Sequence, residues 1–147
     1  MKNIFYVRDK RSPSPKNEGV SKIMSANKAK DTEPEIIVRK ELYRRKIRGF
    51  RANYKQVPGS PDIAFLSRKI AVFINGCFWH RCPFCDLDLP KTNKTFWKEK
   101  FKKNGQRDKK KTEHLQNLNW RVVTIWECQI KKELEKQVKI ISDLYYE

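Results

Sequence analysis

Apolar positions change their spacing along the chain in a way that separates helices from strands. In "TEPEIIVRKELYRRKIRG", Ile36, Val38, Leu42 and Tyr43 form a roughly helical stripe. Thr32 and Glu35 stand at capping-box spacing at its start, and Gly49 is the expected stop. "FRANY" reads as a strand and "QVPGSPD" as a turn cluster. "DIAFL" and "KIAVFIN" read as two strands of a hairpin joined by "SRK". The second is nearly all apolar and is expected at the centre of a sheet, buried on both faces. Thr92 or Asn93 can cap a further helix whose apolar face holds Phe96, Trp97 and Phe101, with Gly105 as a possible break or kink. Leu115, Leu118 and Trp120 should return to the core. "RVVTIW" reads as a buried strand, and "QIKKELEKQVKIISDLYY" sets Ile130, Leu134, Ile141 and Tyr145 near one helical face. The order predicts a mixed α/β domain over 30–147, behind a basic tail over 1–29 that carries too little apolar surface to fold alone.

Charge adds a partner to this picture. Lys plus Arg number 34 against 17 acids, a formal net charge of +17. That excess favours a polyanion, nucleic acid first and an anionic membrane surface second. No apolar run reaches membrane-spanning length and no hydrophobic signal core opens the chain, so a cytoplasmic site is expected.

In that reducing setting, clustered cysteines read as metal ligands before disulfides. "GCFWHRCPFC" holds Cys77, Cys82 and Cys85, and Cys128 follows the last strand. The Cys82–Cys85 spacing is a chelating knuckle, and four thiolates favour a closed, structural zinc, with an iron–sulfur cluster as the alternative. His80 could replace one thiol. If it does not, it is free to act as a proton acceptor, or it is simply structural. Asp62, after Pro61 at a strand mouth, suits a hard divalent ion. Glu35 is either a second carboxylate for that site or a helix cap.

"PGSPDIAF", "AVFINGCFWH", "PKTNKTFW", "KKNGQRDKK" and "LNWRVVTIWEC" together resemble the very short patch repair (Vsr) family of DNA mismatch endonucleases, over most of the chain. The resemblance implies a restriction-endonuclease-like fold: one domain with a mixed central sheet, flanking helices and a structural zinc loop. It also implies magnesium-dependent nicking of one strand of duplex DNA beside a T:G mismatch left by 5-methylcytosine deamination. It implies a bacterial, nucleoid-associated monomer, with mismatch-repair proteins as possible partners. On the family's pattern, Asp62 holds magnesium, with the backbone carbonyl at Ile74 as a second ligand. His80 is the catalytic histidine and Glu35 acts on the attacking water. Cys77, Cys82, Cys85 and Cys128 hold zinc. Phe78 and Trp79 wedge into the base stack, with Met24 entering from the other groove and Lys100 and Asn104 near the bases. Asn75 departs from the pattern, because the family commonly has a second histidine there. Asn can donate a hydrogen bond but cannot exchange protons near neutral pH. Cys82 likewise stands where histidine is frequent. Two other readings stay open: a sequence-specific restriction-type endonuclease of the same fold, and a zinc-stabilised DNA-binding module without catalysis. Phe78 and Trp79 could also be plain core.

Overall fold

The structure is a computed structural model, and it describes residues 30–147. Met24 and the basic tail lie outside the described residues. Four strands form one sheet in the order β1 (Arg51–Ala52), β2 (Ile63–Phe65), β3 (Ile70–Asn75), β4 (Arg121–Trp126). The first two pairings are antiparallel and β3–β4 is parallel, so the sheet is mixed. A parallel neighbour requires a long crossover. It consists of a short helix α2 (Cys77–His80), the cysteine loop, and a long helix α3 (Lys94–Asn117). Helix α1 (Glu33–Arg44) precedes the sheet and α4 (Glu127–Tyr146) follows it. Among the described residues no helix is long and apolar enough to cross a membrane.

Strand β3 organises the core. All six of its residues are buried, as its apolar run predicts. Alternation sends Ile70, Val72 and Ile74 to one face, where Val38 and Leu42 of α1 and Ile130, Val138 and Ile141 of α4 meet them. Ala71 and Phe73 face the other way, against Leu115 of α3, with Trp120 at the edge. Asn75 follows Ala71 and Phe73 in the alternation and lies on the α3 side of the sheet.

Several local expectations are corrected. Helix α1 ends at Arg44, well before Gly49, because Lys46 takes a left-handed conformation (φ 61°) and the Ile47 N–H bonds back to the Leu42 carbonyl. The Thr32 side chain makes no capping bond, and Glu35 instead accepts the Asp31 N–H at 2.8 Å. Helix α3 runs unbroken through Gly105. It is tethered at both ends, by aromatic packing against α2 near its start and by Leu115 in the core near its end. Leu118 is exposed, and β4 is only half-buried because it is an edge strand. Helix α4 begins directly after β4, so Cys128 lies in its first turn; non-helical backbone at Glu133 kinks it further on.

Candidate active site and thiol cage

The turn before β2 sets the floor of a cleft. Gly59 there has φ 80°, a conformation that glycine adopts without strain. The chain then enters β2 with Asp62 facing β3, and the Ile74 N–H donates to Asp62 Oδ2 at 2.6 Å. The cleft measures about 790 Å³ and is lined by Glu35, Asp62, Ile74, Asn75, Trp79 and His80, with Gly59, Lys111 and Glu127 among others. Residues far apart in sequence thus meet at the C-terminal end of β3. Asp62, Asn75 and His80 come from the sheet and α2, and Glu35 comes from α1.

Two carboxylates there lie in a poorly solvated place. Burial pushes Asp62 up to about 6, and the nearby Glu35 charge pushes the same way; the Ile74 N–H, Lys111 and His80 oppose it. Glu35 is 3% exposed. It accepts the Asp31 N–H, with Arg39 Nη1 3.9 Å from its Oε2. Buried carboxylates crowding one another in this way are relieved by a hard cation on oxygen ligands. The residues present therefore fit a divalent ion at Asp62.

His80 is held by a partner the sequence reading did not name. Its Nδ1 lies 2.5 Å from Asp108 Oδ2, reached from the middle of α3. Burial would raise the Asp108 carboxyl, but the hydrogen bonds from His80 and Lys111 outweigh it and hold Asp108 below the ordinary carboxylate range. Asp108 is thus the acceptor and His80 Nδ1 the donor, an arrangement that in a neutral imidazole leaves Nε2 as the acceptor. Lys111 Nζ lies 3.0 Å from the other oxygen, Oδ1. A lone aspartate inside a run of lysines was the available signal. It could not be read without knowing how α3 lies against α2.

The four cysteines form a separate cage. Their sulfurs all lie within 4.8 Å of one another, and Cys82 and Cys128 are 3.6 Å apart. Four thiolates on one tetrahedral zinc would stand about 3.8 Å apart, from a Zn–S distance near 2.3 Å. Backbone N–H groups point at two of the sulfurs, Phe84 to Cys82 (3.3 Å) and Cys128 to Cys77 (3.4 Å), as suits thiolate acceptors. Without a cation, burial and the surrounding thiols push Cys77 up to about 12, a penalty that a bound metal would remove. The cage therefore fits a thiolate-bound metal. His80 is not one of its members.

Phe78 and Trp79 belong to neither face of the sheet core. They pack edge-on to each other (5.1 Å between centroids), Phe78 against Trp97 and Phe101 of α3, and Trp79 against Trp97. Phe78 is 37% exposed, whereas Trp79 is partly covered and its carbonyl accepts the Asn104 Nδ2–H at 3.0 Å. Asn104 thus joins α3 to α2. Lys100 Nζ stands 5.9 Å from the Phe96 ring, farther along the same helix.

A mixed sheet that brings carboxylates and a carboxylate-bound imidazole to one strand end is the equipment of a hydrolase, and its basic helix suits an anionic substrate. Comparison with known proteins gives the family. Residues 15–85 match the family described as DNA mismatch endonuclease Vsr. The chain is 38% identical over 136 residues to the type II nicking enzyme V.NaeI of Lentzea aerocolonigenes, covering 89% of this chain and 79% of that one. It is 39% identical over 121 residues to the type II nicking enzyme V.NmeAIP of Neisseria meningitidis, covering 78% and 86%. It is 38% identical over 82 residues to the DNA mismatch endonuclease Vsr of Escherichia coli, covering 56% and 53%. The chain belongs to the Vsr family of endonucleases.

Proposed function

We propose that this protein nicks one strand of duplex DNA beside a T:G mismatch, with magnesium at Asp62 and zinc in the cysteine cage. The observation that carries the reading is the shared position of the cleft and the aromatic patch. Trp79 lines the cleft, and Phe78, beside it in α2, is partly exposed within the cluster it forms with Trp97 and Phe101. A mismatched step unstacks at lower cost than a matched one, so an apolar group inserted there discriminates before chemistry begins. The phosphate beside that step would then lie in the cleft.

In the cleft, His80 Nε2 takes the proton from the attacking water while Asp108 fixes the ring and offsets the positive charge that develops on it. Glu35 orients that water from the α1 side. Asn75 donates a hydrogen bond to a phosphate oxygen and exchanges no proton. When bound, a divalent ion at Asp62 and the Ile74 carbonyl supplies Lewis-acid polarisation of the phosphate. Thiolate ligands favour zinc for the cage, and a closed set of four leaves it a structural role, joining the α2 loop to the start of α4. Lysines exposed along α3 supply phosphate contacts common to every duplex.

A second reading has its own support: the relatives named as nicking enzymes align over more of the chain than the E. coli Vsr enzyme does. On it, the chain nicks a preferred sequence without requiring a mismatch. One experiment separates the two. Matched, T:G and other mismatched duplexes of the same flanking sequence are incubated with magnesium or with chelator. Magnesium-dependent nicking confined to T:G supports the first reading, equal nicking of matched DNA replaces it with the second, and no nicking of any duplex removes both.

A further inference from the structure

Among the described residues that line the cleft, four are carboxylates (Glu33, Glu35, Asp62 and Glu127), and Lys111 is the one lysine or arginine. A phosphodiester entering this cleft adds negative charge, and attack by water adds more. Asn75, the other polar side chain at this end of β3, is neutral.

Lys111 is also fixed, unlike the lysines around it. Its side chain is 18% exposed, while Lys102, Lys103, Lys109 and Lys110 on the same helix are exposed. Its Nζ lies 4.1 Å from the centroid of the Phe73 ring. Its stem runs so close to the turn before β2 that a Cβ on Gly59 would come within 2.9 Å of Lys111 Cβ. Asp108 bridges the two cationic or protonated groups, with Oδ2 on His80 and Oδ1 on Lys111. An ammonium has three donors and one is used by Asp108, so others remain for a ligand.

We infer that Lys111 binds the scissile phosphate and stabilises the charge that builds on it during attack, working opposite the water held by His80. The inference rests on the nuclease reading above and adds a substrate-contacting residue to it. Lys111 moves no proton in this role; it is a fixed charge in a place of low solvation, where such charges act most strongly.

The test compares Lys111→Met, which keeps the stem against Phe73 and Gly59, with Lys111→Gln as a second variant should the first fold poorly. Single-turnover nicking is measured beside duplex affinity in chelator and melting temperature. The expected result is a fall in nicking of about 10²-fold, the scale for removing one preorganised donor, with duplex affinity changed less than about threefold. A lysine that only props Asp108 would show its whole effect through Asp108. Lys111→Met combined with Asp108→Asn would then be no slower than Asp108→Asn alone, whereas direct phosphate contact makes the two losses multiply. Nicking by both Lys111 variants within about threefold of the parent overturns the inference and leaves the nuclease reading intact, as does a double variant no slower than Asp108→Asn. A parent that nicks no duplex overturns both.

Discussion

His80 and Asp108 are 28 residues apart in sequence and 2.5 Å apart in space, the imidazole Nδ1 on the carboxylate Oδ2. The pair joins the short helix after β3 to the middle of α3, and it engages Nδ1, leaving Nε2 as the other ring nitrogen. Asp108→Asn offers Nδ1 an amide that can turn its NH₂ toward the ring, favouring the wrong tautomer and leaving the imidazolium without a compensating charge. Single-turnover nicking is expected to fall by about 10²-fold or more, since that is the usual range for a general base. Duplex affinity should stay close to the parent's. Nicking at the parental rate would show that His80 works without Asp108.

How much of this could be read in advance differs from residue to residue. Asp62 and His80 stand beside a Pro-Gly turn and a cysteine cluster, local features that survive without a structure. The four cysteines are likewise legible, because knuckle spacing is a local property and the remaining thiol has few alternatives. Asp108 and Lys111 take their meaning from the position of α3, which is set by the aromatic packing of Phe78, Trp97 and Phe101 at one end and Leu115 at the other. No periodicity announces that packing. The Thr32–Glu35 capping box and the break at Gly105 do not form, for a related reason. Local capping and propensity weigh a few tenths to about 1 kcal/mol, and tertiary contacts override them.

Asp62 gives a pH dependence whose sign follows from its environment. Its folded pKa, about 6, lies above the ordinary 3.8, with burial the first cause and Glu35 adding to it. Folding therefore favours the protonated form. The contribution is fully present below about pH 4 and is lost as pH rises through about 6. Metal-free protein should lose on the order of 2 kcal/mol across that window, at about 1.4 kcal/mol per unit with some allowance for solvent. On the proposed site, magnesium would compete with the proton for the same oxygens, so its stabilisation should be larger at pH 7.5 than at pH 5. Thermal melts with magnesium and with chelator at both pH values measure this, and Asp62→Asn should flatten both responses. A magnesium effect unchanged between the two pH values would remove the ion from Asp62.

The thiol cage makes a compositional prediction. Freshly purified protein should carry about one zinc per chain by elemental analysis. Cys85→Ser should lose most of that metal and several degrees or more of melting temperature, because structural sites of this kind contribute directly to folding. The loss should reach the nuclease centre indirectly, since Cys77 opens α2, the helix that ends with His80. Protein free of metal yet fully stable would make the cage a set of buried thiols.

If the protein prefers a T:G duplex, as proposed, the preference cannot come from the basic face of α3, because a phosphate carries the same charge beside either pair. It has to come from base edges or from the cost of deforming the stack. Both rings in α2 help to seat α3, and Trp79 is the less exposed of the two. It packs on Trp97, and its carbonyl anchors Asn104, so shortening it would disturb the junction of α2 and α3. Phe78 is more exposed, although its ring also packs on Trp97 and Phe101. Phe78→Ala also removes the contacts to Trp97 and Phe101 that seat α3, so a lower melting temperature is expected. Assayed below that temperature, it should leave matched-duplex affinity nearly unchanged and lose about 1–3 kcal/mol of mismatch preference, the scale for one base against one aromatic ring. Replacing Lys102 and Lys103 by Ala should do the reverse, lowering both affinities together and reducing the salt dependence by about one counterion per lysine. Binding curves on the two duplexes at two salt concentrations distinguish these patterns. If Phe78→Ala weakens both duplexes alike, the ring is part of the general contact surface, and the preference for a mismatch has to arise elsewhere.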